Sequence, residues 1–181
     1  MKLTRLQIPE LILITPDIHS DSRGYFAETY RQDTLDQFTA SRVHFIQDNE
    51  SESIQGVFRG LHYQLPPHAQ TKLIRVVSGT VLDIVLDIRK SSPSFGKHVQ
   101  IELSAENRKQ LFIPKGFAHG FVVLSKKATI CYKVDNYYHP DSDRTINGAD
   151  PALNLTIPVH DWKRSPKDSN APLLHQADLF E

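Results

Sequence analysis

Gly56 to Gln64 reads Gly-Val-Phe-Arg-Gly-Leu-His-Tyr-Gln, an apolar, aromatic run of strand character that sets Arg59 three residues before His62. A regular strand turns successive side chains to opposite faces, so His62 and Gln64 share one face and Arg59 takes the other. Gly60 permits a bulge, and a bulge there turns both charged groups inward. A lone histidine in such a strand more often meets solvent. Lys72 shifts that balance, because it stands between polar Gln70-Thr71 and apolar Leu73-Ile74 and so carries another cation into the next strand. A barrel lined by Arg, His and Lys is a pocket for a polyanion, with one titratable base near physiological pH.

The elements that must position these groups are mostly strands. Residues 1 to 15 alternate loosely and predict a strand opening the fold. Asp21-Ser22-Arg23-Gly24 is a turn, and Tyr25 to Tyr30 reads as another strand or strand edge. Asp33 to Phe38 predicts a short helix, with Asp33 or Thr34 as its cap. Short apolar runs then follow: Val43 to Gln47, Gly56 to Gln64, Leu73 to Val77, Thr80 to Ile88, Val99 to Leu103, Gln110 to Ile113, Ala118 to Leu124 and Ala128 to Val134. Turns such as Ser78-Gly79 and Pro114-Lys115-Gly116 separate them, which argues an all-β sandwich or barrel. After Tyr138 the chain turns rich in Pro, Asp and Asn, and predicts loop and short helix packed over the barrel mouth.

With 181 residues, 39% of them hydrophobic, the chain suits one domain with a sizeable core. Lysine plus arginine and aspartate plus glutamate both number 21, so no global field draws nucleic acid or an anionic membrane, and anion recognition has to be local. A single cysteine, Cys131, leaves no internal disulfide framework. Together with an N-terminus lacking an apolar leader, it points to a cytoplasmic protein.

Several motifs together resemble one family: Asp21-Ser-Arg-Gly, Gln47-Asp-Asn-Glu-Ser, Arg59-Gly-Leu-His-Tyr-Gln, Ser104-Ala-Glu-Asn, Ile113-Pro-Lys-Gly-Phe-Ala-His-Gly-Phe, Tyr132-Lys and Pro166-Lys-Asp. In this order, over nearly the whole chain, they are similar to the dTDP-4-dehydrorhamnose 3,5-epimerases. The resemblance implies a jelly-roll (cupin-type double-stranded β-helix) barrel with short flanking helices, spanning 1–181 as a single domain. It also implies a homodimer with exchanged N-terminal strands, and catalysis without cofactor or metal. The implied reaction removes a proton at each carbon flanking the ketone of a dTDP-linked 4-keto-6-deoxyhexose and returns it on the other face. By this resemblance His62 is the base, Asp168 its partner, Lys72 the group beside the C4 oxygen and Tyr132 the acid on the opposite face of the ring. Arg59, Arg23 and Lys167 then contact diphosphate or sugar, Arg23 completing the partner's site. Gln47, Asn49, Glu28 and His119 are further substrate contacts, and Tyr138 is a platform for thymine. Three positions depart from the family's pattern: His19 replaces a Phe, Asp143 replaces a Glu and so shortens a carboxylate contact by one methylene, and Gly148 replaces a Trp.

Taken without the resemblance, Asp168 reads as a surface turn, Lys72 as a solvated strand end and Tyr132 as core with a satisfied hydroxyl. Nine histidines in a barrel also raise a metal-dependent cupin, but position 64 is Gln, and His68 and His119 lack the usual ligand spacing. Two further alternatives keep most of the motifs: a mono-epimerase or keto-isomerase on a related dTDP-deoxysugar, and a sugar-nucleotide binding module without chemistry.

Overall fold

Strands that alternate one buried with one half-exposed residue need a second apolar layer, and this chain supplies it by sending successive strands to two facing sheets. A computed structural model describes residues 1–181. The strands are β1 (Lys2–Arg5), β2 (Ile12–Thr15), β3 (His19–Asp21), β4 (Gly24–Phe26), β5 (Gln47–Ile54), β6 (Phe58–Gln64), β7 (Lys72–Ser78), β8 (Thr80–Asp87), β9 (His98–Ser104), β10 (Gln110–Ile113), β11 (Phe117–Val123), β12 (Lys127–Val134) and β13 (Asp143–Thr145). One sheet has the order β1-β2-β10-β7-β12-β5 and the other β13-β6-β11-β8-β9, while β3 and β4 form a separate hairpin. From β5 to β8, and again from β9 to β12, the chain alternates between the sheets, which is the winding of a jelly roll. The fold is all-β with short helices α1 (Gln32–Thr39) and α2 (Pro166–Ser169) on its flanks.

Side chains of both sheets interleave between them, with Ile74, Val76, Leu111 and Ile130 from one meeting Val81, Val85, Phe121 and Val123 from the other. The outer face of the five-stranded sheet, through Phe58, Leu61, Tyr63, Ile84, Leu86 and Val122, is covered by tail residues including Leu153, Trp162 and Phe180. The outer face of the six-stranded sheet is covered through Leu35 and Val43.

Several boundaries differ from the sequence reading. Residues 1 to 15 form two paired strands rather than one, Lys2 facing Thr15 across the hairpin. The strand placed at Val43 to Gln47 begins at Gln47 and runs to Ile54, since Val43 packs under α1 instead of joining a ladder. Tyr25 to Tyr30 is a strand only as far as Phe26. Helix α1 has Arg31, not Asp33 or Thr34, at its N-cap, and no side chain caps it.

Candidate active site

The bulge permitted by Gly60 is present. Strand β11 pairs His119 with His62 and Phe121 with Arg59, so the single residue Gly120 of β11 stands against Gly60 and Leu61 of β6. Arg59 and His62 therefore both face the interior, while Phe58, Leu61 and Tyr63 pack on the outer face. Glycine is required at both strands of this crossing. A Cβ on Gly60, whose φ is +135°, would stand 2.5 Å from the Gly120 Cα, and one on Gly120 would stand 2.6 Å from the Arg59 carbonyl oxygen.

The interior opens at one end into a cavity of about 360 Å³. Its lining includes Arg59, His62, Gln64 and His119 from the five-stranded sheet, and Gln47, Asn49, Ser51, Lys72, Ile130 and Tyr132 from the facing one. Tyr138, Asp143 and Lys167, from the segments after β12, complete the rim. Asp168 sits behind the wall, 3% exposed, with its Oδ1 2.6 Å from the His62 Nε2. Ser165 fixes it there by accepting a hydrogen bond from the Asp168 N–H at 3.1 Å across the short turn of α2. Burial pushes the Asp168 carboxyl upward, but hydrogen bonds from His62, Ser165 and the Gly60 backbone outweigh burial and hold it below the usual carboxylate range. An ionised Asp168 accepts the Nε2–H of His62 and leaves Nδ1 as the basic nitrogen.

Burial brings the Lys72 ammonium down from 10.5 to about 8, against the opposing pull of Asp143 and Asp83. Its Nζ donates to the His62 carbonyl at 3.3 Å, which ties the cation to the strand that carries the base. Burial pushes the Tyr132 phenol up, with Arg59 opposing, so this hydroxyl keeps its proton at neutral pH. At the rim Tyr138 donates to Asp143 Oδ2 at 3.1 Å, and that same oxygen receives the Lys167 Nζ. This hydrogen bond to the carboxylate is the main cause that raises the Tyr138 phenol. The Asp143 carboxylate thus reaches both neighbours.

Two expected contacts lie elsewhere in the chain's own fold. Arg23 is on the exposed β3–β4 hairpin, ion-paired with Asp21 at 2.6 Å and with 88% of its side chain in solvent. Glu28 lines a neighbouring hollow with Arg75, Cys131 and Lys133 rather than the His62 cavity. His19 stands on the same hairpin as Arg23, its ring stacked on Phe26. Gly148 is a packing position, since a Cβ there would lie 2.4 Å from the Phe58 ring, whose face stacks on Trp162. Gly148 therefore belongs to the covered outer face of the sheet.

Sequence reasoning missed Asp83, fully buried and 2.9 Å from the His119 Nε2 through its Oδ2. The signal was present: a carboxylate in Val-Leu-Asp-Ile-Val has the inward parity of Val81 and Val85, and a buried charge requires a partner. Ser51 and Gln70 were missed as lining residues too, while Gln64 lines the cavity on the face that the sequence reading has it share with His62. No three His, Cys, Asp or Glu side chains converge closely enough to hold a metal ion.

A protein-family model described as dTDP-4-dehydrorhamnose 3,5-epimerase matches residues 5–176. The chain is 46% identical over 180 residues to the dTDP-4-dehydrorhamnose 3,5-epimerase of Shigella flexneri, covering 99% of each. Its structure superimposes with a TM-score of 0.94 on a dTDP-6-deoxy-D-glucose-3,5-epimerase of Legionella pneumophila solved with dTDP-4-keto-L-rhamnose, at 44% identity over 98% of this chain and 94% of that one. It also resembles a 3'-monoepimerase of Streptomyces bikiniensis solved with dTDP-quinovose, with a TM-score of 0.88 and 33% identity over 94% and 87% of the two chains.

Proposed function

The chain belongs to the dTDP-4-dehydrorhamnose 3,5-epimerase family, and on that premise we propose how its residues invert C3 and C5 of dTDP-4-dehydro-6-deoxyglucose to give dTDP-4-dehydro-L-rhamnose. The observation that carries the reading is the His62–Asp168 pair at 2.6 Å, facing Tyr132 across the cavity from the opposite sheet. Epimerisation requires a base on one face of the sugar ring and an acid on the other, and a two-sheet barrel holds one on each wall.

His62 Nδ1 takes the proton α to the ketone, and Asp168 stabilises the imidazolium that forms. Negative charge then develops on the C4 oxygen. Lys72 meets it as a cation already desolvated and oriented, so little reorganisation accompanies the step. The protonated Tyr132 delivers a proton to the opposite face, completing inversion at that carbon. No electrons leave the substrate, so the scheme draws on no redox cofactor; with His62 taking the proton directly and Lys72 meeting the C4 oxygen, it calls on no metal either. Arg59 and Lys167 are suited to the diphosphate, with Tyr138 as the nucleobase platform and Gln47, Asn49, His119 and Asp143 as further substrate contacts.

Residues 1–181 act in this reading as one cytoplasmic epimerase domain that works as a homodimer. The exposed hairpin, with Tyr25 60% and Phe26 69% in solvent, is suited to exchange between subunits, and it would carry Arg23 to the partner's cavity. Glu28, outside its own chain's cavity, has the same role. The testing experiment is incubation with dTDP-4-keto-6-deoxyglucose in deuterated water. Deuterium at both C3 and C5 with inverted configuration supports the reading. Label at one carbon alone assigns a mono-epimerase, and binding with no label assigns a binding module. Full activity after dialysis against a chelator is the expected result; loss with recovery on adding a divalent ion would overturn the metal-free scheme.

A further inference from the structure

We infer that Gln64 is a positioning residue whose single carboxamide sets the place of Tyr138 at the cavity mouth; this rests on the reading of Tyr138 as the nucleobase platform. Tyr138 is 60% exposed, so packing does little to place its ring. Its backbone is held instead. The Gln64 Nε2 donates to the Tyr137 carbonyl at 3.2 Å, and the Gln64 Oε1 accepts from the His139 N–H at 2.7 Å. These groups flank Tyr138 on either side, so one amide makes the pair of hydrogen bonds that a neighbouring strand would make. The second Nε2 hydrogen goes to the His68 carbonyl at 2.6 Å, tying the segment back to the β6–β7 connection.

The remaining anchor of the tyrosine returns to the same strand position. Tyr138 donates to Asp143, and Asp143 is the residue that faces Gln64 in the β6–β13 ladder. The adjacent Leu65 N–H donates to the Ser142 carbonyl at 2.9 Å, and the His68 and His139 rings stack 3.7 Å apart at 5° to close the loop. Gln64 itself is 4% exposed, and both its amide hydrogens are committed to carbonyls. It therefore reaches a ligand mainly through Tyr138. The role needs a donor and an acceptor on one group at glutamine's length: glutamate would set a carboxylate against two carbonyl oxygens, and methionine would fill the space without either bond.

The test is calorimetric titration of the full-length protein with dTDP, alongside kcat and KM, for Gln64→Met and the isosteric Gln64→Glu, each also placed in a Tyr138→Ala background. Both single variants are expected to bind dTDP about tenfold more weakly, the scale of one lost neutral hydrogen bond in a coupled pair, with KM rising more than kcat falls. In the Tyr138→Ala background the same changes should alter the dissociation constant less than about twofold, because the platform they position is gone. Equal losses in both backgrounds, or a fall in kcat at unchanged KM, would overturn the inference. Gln64→Glu supplies the cycle if Gln64→Met does not fold. A wild-type protein that binds no dTDP refutes the substrate reading itself; wild-type binding with additive variants refutes the role of Gln64 alone.

Discussion

Replacing Lys72 should trade catalysis for stability, with both effects traceable to its burial. Lys72 is 9% exposed, and the pKa of its ammonium falls from 10.5 to about 8. At neutral pH it remains mostly charged, yet holding that charge in the fold costs roughly 3 kcal/mol relative to the unfolded chain. For a cation whose folded value is depressed, the cost is fully present below about 8 and is relieved as pH climbs toward 10.5, so this group makes the fold more stable with rising pH across that window. Lys72→Met should accordingly stabilise the protein at pH 7 by about 1 to 3 kcal/mol, after allowance for the lost bond to the His62 carbonyl. The same change should lower kcat by about a hundredfold or more, the typical effect of removing one preorganised group from a developing oxyanion.

A pH profile of kcat/KM identifies the group. The native enzyme should lose activity with an apparent pKa of about 8, as Lys72 gives up its proton in the free enzyme. Tyr132 is not responsible for a limb in that range, because burial pushes its phenol above the ordinary tyrosine value. Lys72→Arg keeps a charge that does not titrate, so the descending limb should disappear from whatever activity remains. A limb that persists unchanged in Lys72→Met or Lys72→Arg would refute the assignment. So would a Lys72→Met protein no more stable than the parent in urea at pH 7.

Two further perturbations reach the scaffold. Asp87 is fully buried and accepts from Arg89, Ser92 and Ser94, and although burial opposes them these bonds hold it at about 2. Its stabilisation is present above the ordinary aspartate value and is lost as pH falls toward about 2; Asp87→Ala should cost about 3 kcal/mol in denaturant melts at pH 7 and weaken the acid dependence of unfolding. Gly60→Ala places a Cβ 2.5 Å from the Gly120 Cα, so it should abolish epimerisation and lower the melting temperature. A soluble, fully active Gly60→Ala protein would contradict the bulge as the device that brings Arg59 and His62 to one face.

The strands with apolar periodicity were legible in the sequence because a two-sheet barrel buries one face of nearly every strand. Strand β5 was misplaced for the opposite reason. Gln-Asp-Asn-Glu-Ser-Glu-Ser-Ile is an edge strand whose side chains mostly meet the cavity or solvent, and Ser53 is its one buried residue. Its signal is alternation without hydrophobicity. The Gly60 bulge could be named from the residues alone, but that it forms depends on the close approach of Gly120, sixty positions away in the chain. Asp168 had no local signal at all, because its role arises when a four-residue helical turn is folded against β6. Resemblance to a family supplied what periodicity could not. The Gln64 network was hidden in a similar way, since a glutamine at a strand end gives no hint of which backbone groups a distant loop will present to it.

The central claim is that proton removal and proton delivery belong to different walls of the cavity, and Tyr132→Phe tests it most directly. This variant should leave His62 and Asp168 able to remove a proton and return it on the same face. Incubated with dTDP-4-keto-6-deoxyglucose in deuterated water, it should still place deuterium at C3 and C5 with configuration retained, while inversion falls by about a hundredfold or more relative to exchange. Equal loss of exchange and inversion, or undiminished epimerisation, would show that the second proton comes from another group and that the two-wall scheme is wrong.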